Sequence, residues 1–154
     1  MNRKIGLADF CKTGIACAIA YSIPLLFFFK QEQSTDSWIL YLGNFAFTFV
    51  LLIATFIINK KLHDETSVMK MLATGASLSV AGILFTIPFM GVLLLLFGQH
   101  IVLHNPVSDS LTGLFFMLLM NVVIVDIFMG CFAVLLAALV TMQYPKNKKG
   151  EEVT

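Results

Sequence analysis

Charge is scarce in this chain, and it avoids the middle of every long apolar stretch except one. Only 12% of the 154 residues are charged, against 58% hydrophobic. That balance lies far to the apolar side of a soluble domain, in the direction that marks membrane spans. No dense basic cluster is interleaved with aromatics, so a nucleic-acid-binding surface is not expected. Cysteine is equally sparse. Cys11, Cys17 and Cys131 form no C-x-x-C pair, which argues against a thiol oxidoreductase. They read as reduced, small apolar packers. No glycine-rich phosphate loop is present, no Ser/His/Asp or Cys/His set falls on one side, and no span carries a central His pair for haem. An enzyme is therefore disfavoured, and no cofactor is expected.

What the chain does have is four apolar stretches: Thr13–Phe29, Trp38–Asn59, Met71–Gly98 and Leu111–Met142. About 20 apolar residues cross the hydrocarbon core of a bilayer. The first stretch is somewhat short, but Lys12 can extend it by laying its alkyl stem in the apolar zone with its ammonium in water. The fourth is long enough that it must tilt or protrude. The expected fold is all-α: a polytopic integral membrane protein with four transmembrane helices in one bundle. It forms a single domain over 1–154, with the tail over 143–154 read as disordered.

The basic residues are sorted by side. Arg3, Lys4 and Lys12 precede the first span. Lys60, Lys61 and Lys70 fall between the second and third, and Lys146, Lys148 and Lys149 follow the fourth. Of the ten Lys and Arg residues, only Lys30 falls on the other side. Basic residues stay cytoplasmic, so both termini are expected inside. A basic inner rim of this kind attracts anionic lipid headgroups. Together with the small size of the chain, it suggests a bacterial inner membrane. The N-terminus reads as a retained first span: too few apolar residues precede Ala18-Ile19-Ala20 for a cleaved signal.

Local signals place the ends and bends. Pro24 should kink or break the first helix. Ser34, Thr35, Asp36 and Ser37 offer N-caps for the second, and Thr66 and Ser67 for the third. Trp38 and Tyr41 mark an interfacial belt. Pro88 bends the third span and frees one carbonyl. Gln99–Ser110 reads as an outer loop turning at Asn105-Pro106, and Tyr144-Pro145 stops the fourth helix.

Within lipid, helices associate through small residues and buried polar contacts. Each span carries such a face: Gly14, Cys17, Tyr21 and Pro24; Asn44, Thr48, Thr55 and Asn59; Gly75, Ser79, Gly82 and Thr86; Asp126, Gly130, Ala133 and Ala137. The last two sets share one spacing. Pairing Thr86 with Asp126, Gly82 with Gly130, Ser79 with Ala133 and Gly75 with Ala137 keeps the constant residue sum of an antiparallel register. Helices three and four are thus expected to pack small against small, with the Thr86 hydroxyl offered to Asp126.

Asp126 is the one ionisable residue deep inside a span. An aspartate at a span centre costs about 2.5–3.5 kcal/mol on the insertion scale, which flanking Leu, Ile, Val and Phe offset. It must face the bundle or water. It can act as a hydrogen-bonded strut between helices three and four. Alternatively it can act as a relay, kept neutral by desolvation and able to give or take a proton. A relay needs a second titratable partner and a wet path, and no other span centre carries Glu, His, Lys or Arg, so the strut is preferred. Asn121, five residues earlier, falls about 140° around an α-helix and should point to another helix or a second subunit. Asn44 and Asn59 read as interhelical glue. His100 and His104, with Asp109 nearby, are weak metal candidates lacking a fourth ligand, and no metal site is expected.

Three functions fit. The first is a non-enzymatic subunit or accessory protein acting through helix contacts with itself or a membrane partner, its other partner being the lipid bilayer. The second is a small transporter or channel protomer working through Asp126. The third is a membrane enzyme or an outer metal site at His100 and His104. A wet cavity reaching Asp126 would favour the second, and a dry, hydrogen-bonded Asp126 the first. The charge asymmetry makes a direct prediction: cysteines introduced at Ser34 and Ser108 label from outside the cell, and those at Asp64 and Asn147 do not. Outside labelling at Asn147 would end the even-span topology.

Overall fold

Four helical spans account for the described residues, and none of those residues forms a strand. The computed structural model describes residues 6–30, 38–62, 68–104 and 110–143. Helix α1 is Leu7–Lys30, α2 is Trp38–Leu62 and α3 is Val68–His104. The fourth span is built from α4 (Leu111–Met120), a π-helical turn (Asn121–Val125) and α5 (Asp126–Gln143). Four helices are long and apolar enough to cross a membrane: Leu7–Lys30, Trp38–Lys60, Val68–Gly98 and Leu111–Met142.

The helices outrun the apolar stretches, because helix and span obey different rules. Hydrogen bonding continues into the polar flanks of the apolar stretches. Asp9 sits in the first turn of α1, where its carboxylate accepts from the Gly6 amide at 3.2 Å and meets the positive end of the helix dipole. At the start of α4, the Ser110 side chain accepts from the Gly113 amide at 3.1 Å. Helix α3 runs on to His104 rather than ending at Gly98. Pro24 does not break α1, nor Pro88 α3: both helices run through. The caps expected at 34–37 and 66–67, the turn at Asn105-Pro106, the Tyr144-Pro145 stop and the 144–154 tail lie outside the described residues.

The bundle is apolar outside and polar within. Phe128, Leu95, Leu96, Phe45 and Leu84 are exposed, whereas Asn44, Thr55, Asn59, Thr86, Asp126 and Thr141 are buried. Trp38 and Tyr41 stand exposed at the start of α2. Lys12, Lys60 and Lys70 are exposed, and the alternating helix directions bring them to one end, which is here called the basic end.

The faces read from the sequence are the ones that turn inward. All their members are buried except Thr48, which is half-buried. Their pairing differs from expectation. Helix α1 packs chiefly on α3 and α2, the fourth span lies against α2 and α3, and α2 and α3 also touch across the diagonal. The space beside Gly82 is filled by Phe47 of α2, 2.9 Å from where a Cβ would stand, with Cys17 of α1 at 3.5 Å. Gly130 faces Ser79 and Leu51, not Gly82, and Gly75 faces Val134 and Thr55, 2.6 and 3.1 Å from where a Cβ would stand, not Ala137. The α3–α5 register is antiparallel, but slipped by three positions from the expected one, most of a helical turn. The physical reason is volume. Glycine facing glycine would leave a groove, whereas Phe47, Ser79 and Val134 fill each notch with a side chain.

These notches predict an ordered set of effects. Gly75→Leu and Gly130→Leu are expected to lower the thermal stability of the detergent-solubilised protein sharply, because a larger side chain must displace Val134 or Ser79. A Cβ on Gly91 meets nothing within 4 Å, so Gly91→Ala is expected to be neutral or to stabilise by up to about 1 kcal/mol through helix propensity. Equal tolerance of alanine and leucine at positions 75 and 130 would refute the packing.

Candidate functional site: a buried polar centre

Three side chains from three helices meet at the middle of the bundle. Asn44 of α2 and Asn121 of the π turn exchange amide hydrogen bonds, Asn44 Nδ2 donating to Asn121 Oδ1 at 3.2 Å and Asn121 Nδ2 to Asn44 Oδ1 at 3.3 Å. The Asn121 amide nitrogen also donates to Tyr21 Oη of α1 at 3.2 Å. Both hydrogens of the Asn121 amide are thereby used. Tyr21 can reach inward because Gly43 lies beside its ring: a Cβ there would stand 3.2 Å from Tyr21 Cε2. Adjacent residues of α2 thus do two jobs, Gly43 admitting the ring and Asn44 binding the amide that binds its hydroxyl.

Asp126 follows directly after the π turn. It is fully buried, and neither carboxyl oxygen has a hydrogen-bond partner among the described residues. Its titratable neighbours within electrostatic reach are Cys17 and Tyr21, both on α1. The π turn is what brings Asn121 and Asp126 to the same side. Its wider ring inserts one residue. Positions five apart then stand roughly as positions four apart do in an α-helix, about 40° past a full turn instead of about 140°. The expectation that Asn121 points away from Asp126 is corrected accordingly. It does reach other helices, α1 and α2. The run Val122-Val123-Ile124-Val125 is the sequence signal for this turn, since consecutive β-branched side chains crowd a regular α-helix.

The expected Thr86–Asp126 hydrogen bond is not made. Thr86 is buried and gives its hydroxyl to the Gly82 carbonyl of its own helix at 2.9 Å. In an apolar interior, the carbonyl one turn back is the nearest acceptor that needs no partner helix. The strut between helices is instead Asn121. Of the other candidate residues, Gly75, Ser79, Gly82, Gly130, Ala133 and Ala137 are all buried on the inward faces.

Two cavities follow the seam between α3 and the fourth span, one of about 310 Å³ between Leu94, Leu111 and Phe115, the other of about 340 Å³ between Ala76, Ile83, Cys131 and Val134. Asp126 lines neither of them. No group of three or more His, Cys, Asp or Glu that could hold a metal occurs among the described residues. Helix α3 carries both His100 and His104, so their backbone positions share a helical face. Their side chains, and Asp109 entirely, lie outside the described residues. All three cysteines are free, with Cys17 buried and Cys131 exposed.

The amide pair sets a stability expectation. A buried polar contact between membrane helices contributes about 0.6 kcal/mol and seldom more than about 1.7. Asn121→Leu removes the Asn44 pair and the Tyr21 contact together, so it is expected to cost about 1–2 kcal/mol. The Asn44→Leu, Asn121→Leu double variant should be well short of additive. Additive losses in a detergent unfolding series would show that the two amides do not act as a pair.

Compared with known proteins, the chain matches no family model, no curated protein and no solved structure.

Proposed function

We propose that this chain is a small multi-pass membrane protein, cytoplasmic at both ends in a bacterial inner membrane, that works as a transporter or channel protomer with Asp126 as its proton-exchanging group. The observation that carries the reading is the state of that carboxyl: fully buried, in the middle of the fourth span, with both oxygens unpartnered among the described residues. Buried polar groups in native proteins are almost always hydrogen-bonded, and an exception calls for a cause. A structural role is the usual cause, but here Asn121 joins the helices and Thr86 is bonded elsewhere. A group that must exchange a proton gains from having no fixed partner, because a strong hydrogen bond would lock one protonation state. Ionisable residues inside spans are a functional signal in their own right, and π turns recur at functional sites.

A second reading rests on the seam between α3 and the fourth span. Asp126 lines neither cavity of the α3 seam, which suits a subunit or accessory protein that acts through its outer helix faces on another copy or on a membrane partner.

Asp126→Asn and Asp126→Leu separate the two. Replacing a buried polar group without partners by a hydrocarbon is neutral or stabilising. Asp126→Leu is therefore expected to hold or raise thermal stability. Both variants are expected to abolish proton flux in proteoliposomes, since neither an amide nor a hydrocarbon exchanges a proton at neutral pH. Flux unchanged in Asp126→Asn, or absent from the parent protein, would refute the transporter reading and leave the subunit reading.

A further inference from the structure

Below Asp126, towards the basic end, the inward face of α2 carries two more buried polar side chains with unmet hydrogen bonds. Thr55 and Asn59 are both fully buried, and Thr55 Oγ1, Asn59 Oδ1 and Asn59 Nδ2 find no partner among the described residues. They stand one helical turn apart on the face that meets α3 and α5, because the same notch at Gly75 is filled by Thr55 and Val134. Gly130 lies beside Leu51 by the same parallel shift between α2 and the fourth span. That shift puts Asp126 level with Phe47, and Asn59 level with Ala138. At 1.5 Å per residue, Thr55 lies about 12 Å and Asn59 about 18 Å along the bundle from Asp126. Ser79 is buried against Gly130, about halfway between Asp126 and Thr55. Thr141, buried near the basic end, continues the line beyond Asn59; its hydroxyl donates to the Ala137 carbonyl of its own helix at 2.7 Å, which leaves its oxygen lone pairs to accept from water.

We propose that Ser79, Thr55, Asn59 and Thr141 line an internal water-binding column that connects Asp126 to the basic end of the bundle. The steps of about 6 Å between successive polar groups are the span of one bridging water, and buried waters are held by polar groups left without protein partners. An Asn amide offers two donors and an acceptor carbonyl to such waters, and a Thr hydroxyl one donor and two lone pairs. No titratable side chain is needed along the way, because a proton passes down hydrogen-bonded waters and hydroxyls by exchange of covalent and hydrogen bonds. Each oxygen accepts one proton and releases another, so no charge is left on the column. The alternative use of Thr55 and Asn59, as dry glue, would require them to bond one another or a facing helix, and neither does so among the described residues. The column also supplies the wet path that a single intramembrane carboxyl lacks. It rests on the reading of Asp126 as a proton-exchanging group, but it makes its own prediction.

The test follows hydrogen–deuterium exchange of the Asp126 carboxyl in the full-length protein reconstituted in liposomes. Its infrared carbonyl band is identified by its absence in Asp126→Asn. Asn59→Leu is expected to slow that exchange about tenfold or more, by interposing hydrocarbon in the path, and Asn59→Ser to restore most of the rate. Leucine at lipid-facing Ile57 leaves it unchanged. An Asn59→Leu rate within about twofold of the parent overturns the column. A second arm does not depend on the leucine variant folding. With Cys11, Cys17 and Cys131 replaced by alanine, Thr55→Cys and Asn59→Cys are expected to react with a membrane-impermeant thiol reagent added at the basic end, and Ile57→Cys not to react. Silence at both positions overturns the column as well. Neither arm requires net transport. If flux survives Asp126→Asn while exchange still depends on Asn59, the transporter reading falls and the column stands. If flux is lost but exchange ignores Asn59, the column falls and the role of Asp126 stands.

Discussion

The hydrogen bond from Asn121 to Tyr21 spans the widest gap in the bundle. No Cα atom of α1 comes within 8 Å of the fourth span among the described residues, so this pair of long side chains is what ties them. Much else in the molecule is arranged around it. Gly43 leaves room for the ring, Asn44 holds the amide by a reciprocal pair, and the π turn aims Asn121 inward without turning Asp126 outward. Inside a bilayer such an arrangement would have no competitor in solvent, and each bond would be kept unless another protein group offered itself.

The rest of the packing fits the rule for helices in lipid, between which no hydrophobic force acts. Close approach has to come from shape. Gly14 receives Phe85, Gly82 receives Phe47, Gly75 receives Val134 and Gly130 receives Ser79. Three of these four notches are filled by a side chain at least as large as valine. Small residues here are sockets for large ones rather than flat surfaces pressed together.

That distinction explains what could and could not be read from the chain. The four inward faces were legible because the outside is apolar and the small and polar residues mark the inside. The partner of each face was not, because a socket does not say which knob fills it, and symmetric spacing on two helices suggested a register three positions out. Asn121 was placed on the wrong side of its helix by assuming 3.6 residues per turn through a run of β-branched residues that does not hold that period. The Thr86 contact failed because a hydroxyl in a helix can always bond its own backbone, an option invisible in residue spacing. Asp126 itself was identifiable from depth alone. Its lack of partners required coordinates.

The π turn also divides the fourth span into two pieces that answer to different neighbours. α4 packs on α3 alone, whereas α5 packs on both α2 and α3. The extra residue works as a frame shift in the succession of helical faces, setting the phase of α5 independently of the phase of α4. Winding that turn as regular α-helix with every residue kept would rotate every side chain of α5 by about 100° relative to α4. The carboxyl would swing off the bundle axis and the sockets of α5 would meet the wrong knobs, without a single contacting residue having been changed. In a chain this small, the identity of the interior is set by the winding of one turn as much as by composition.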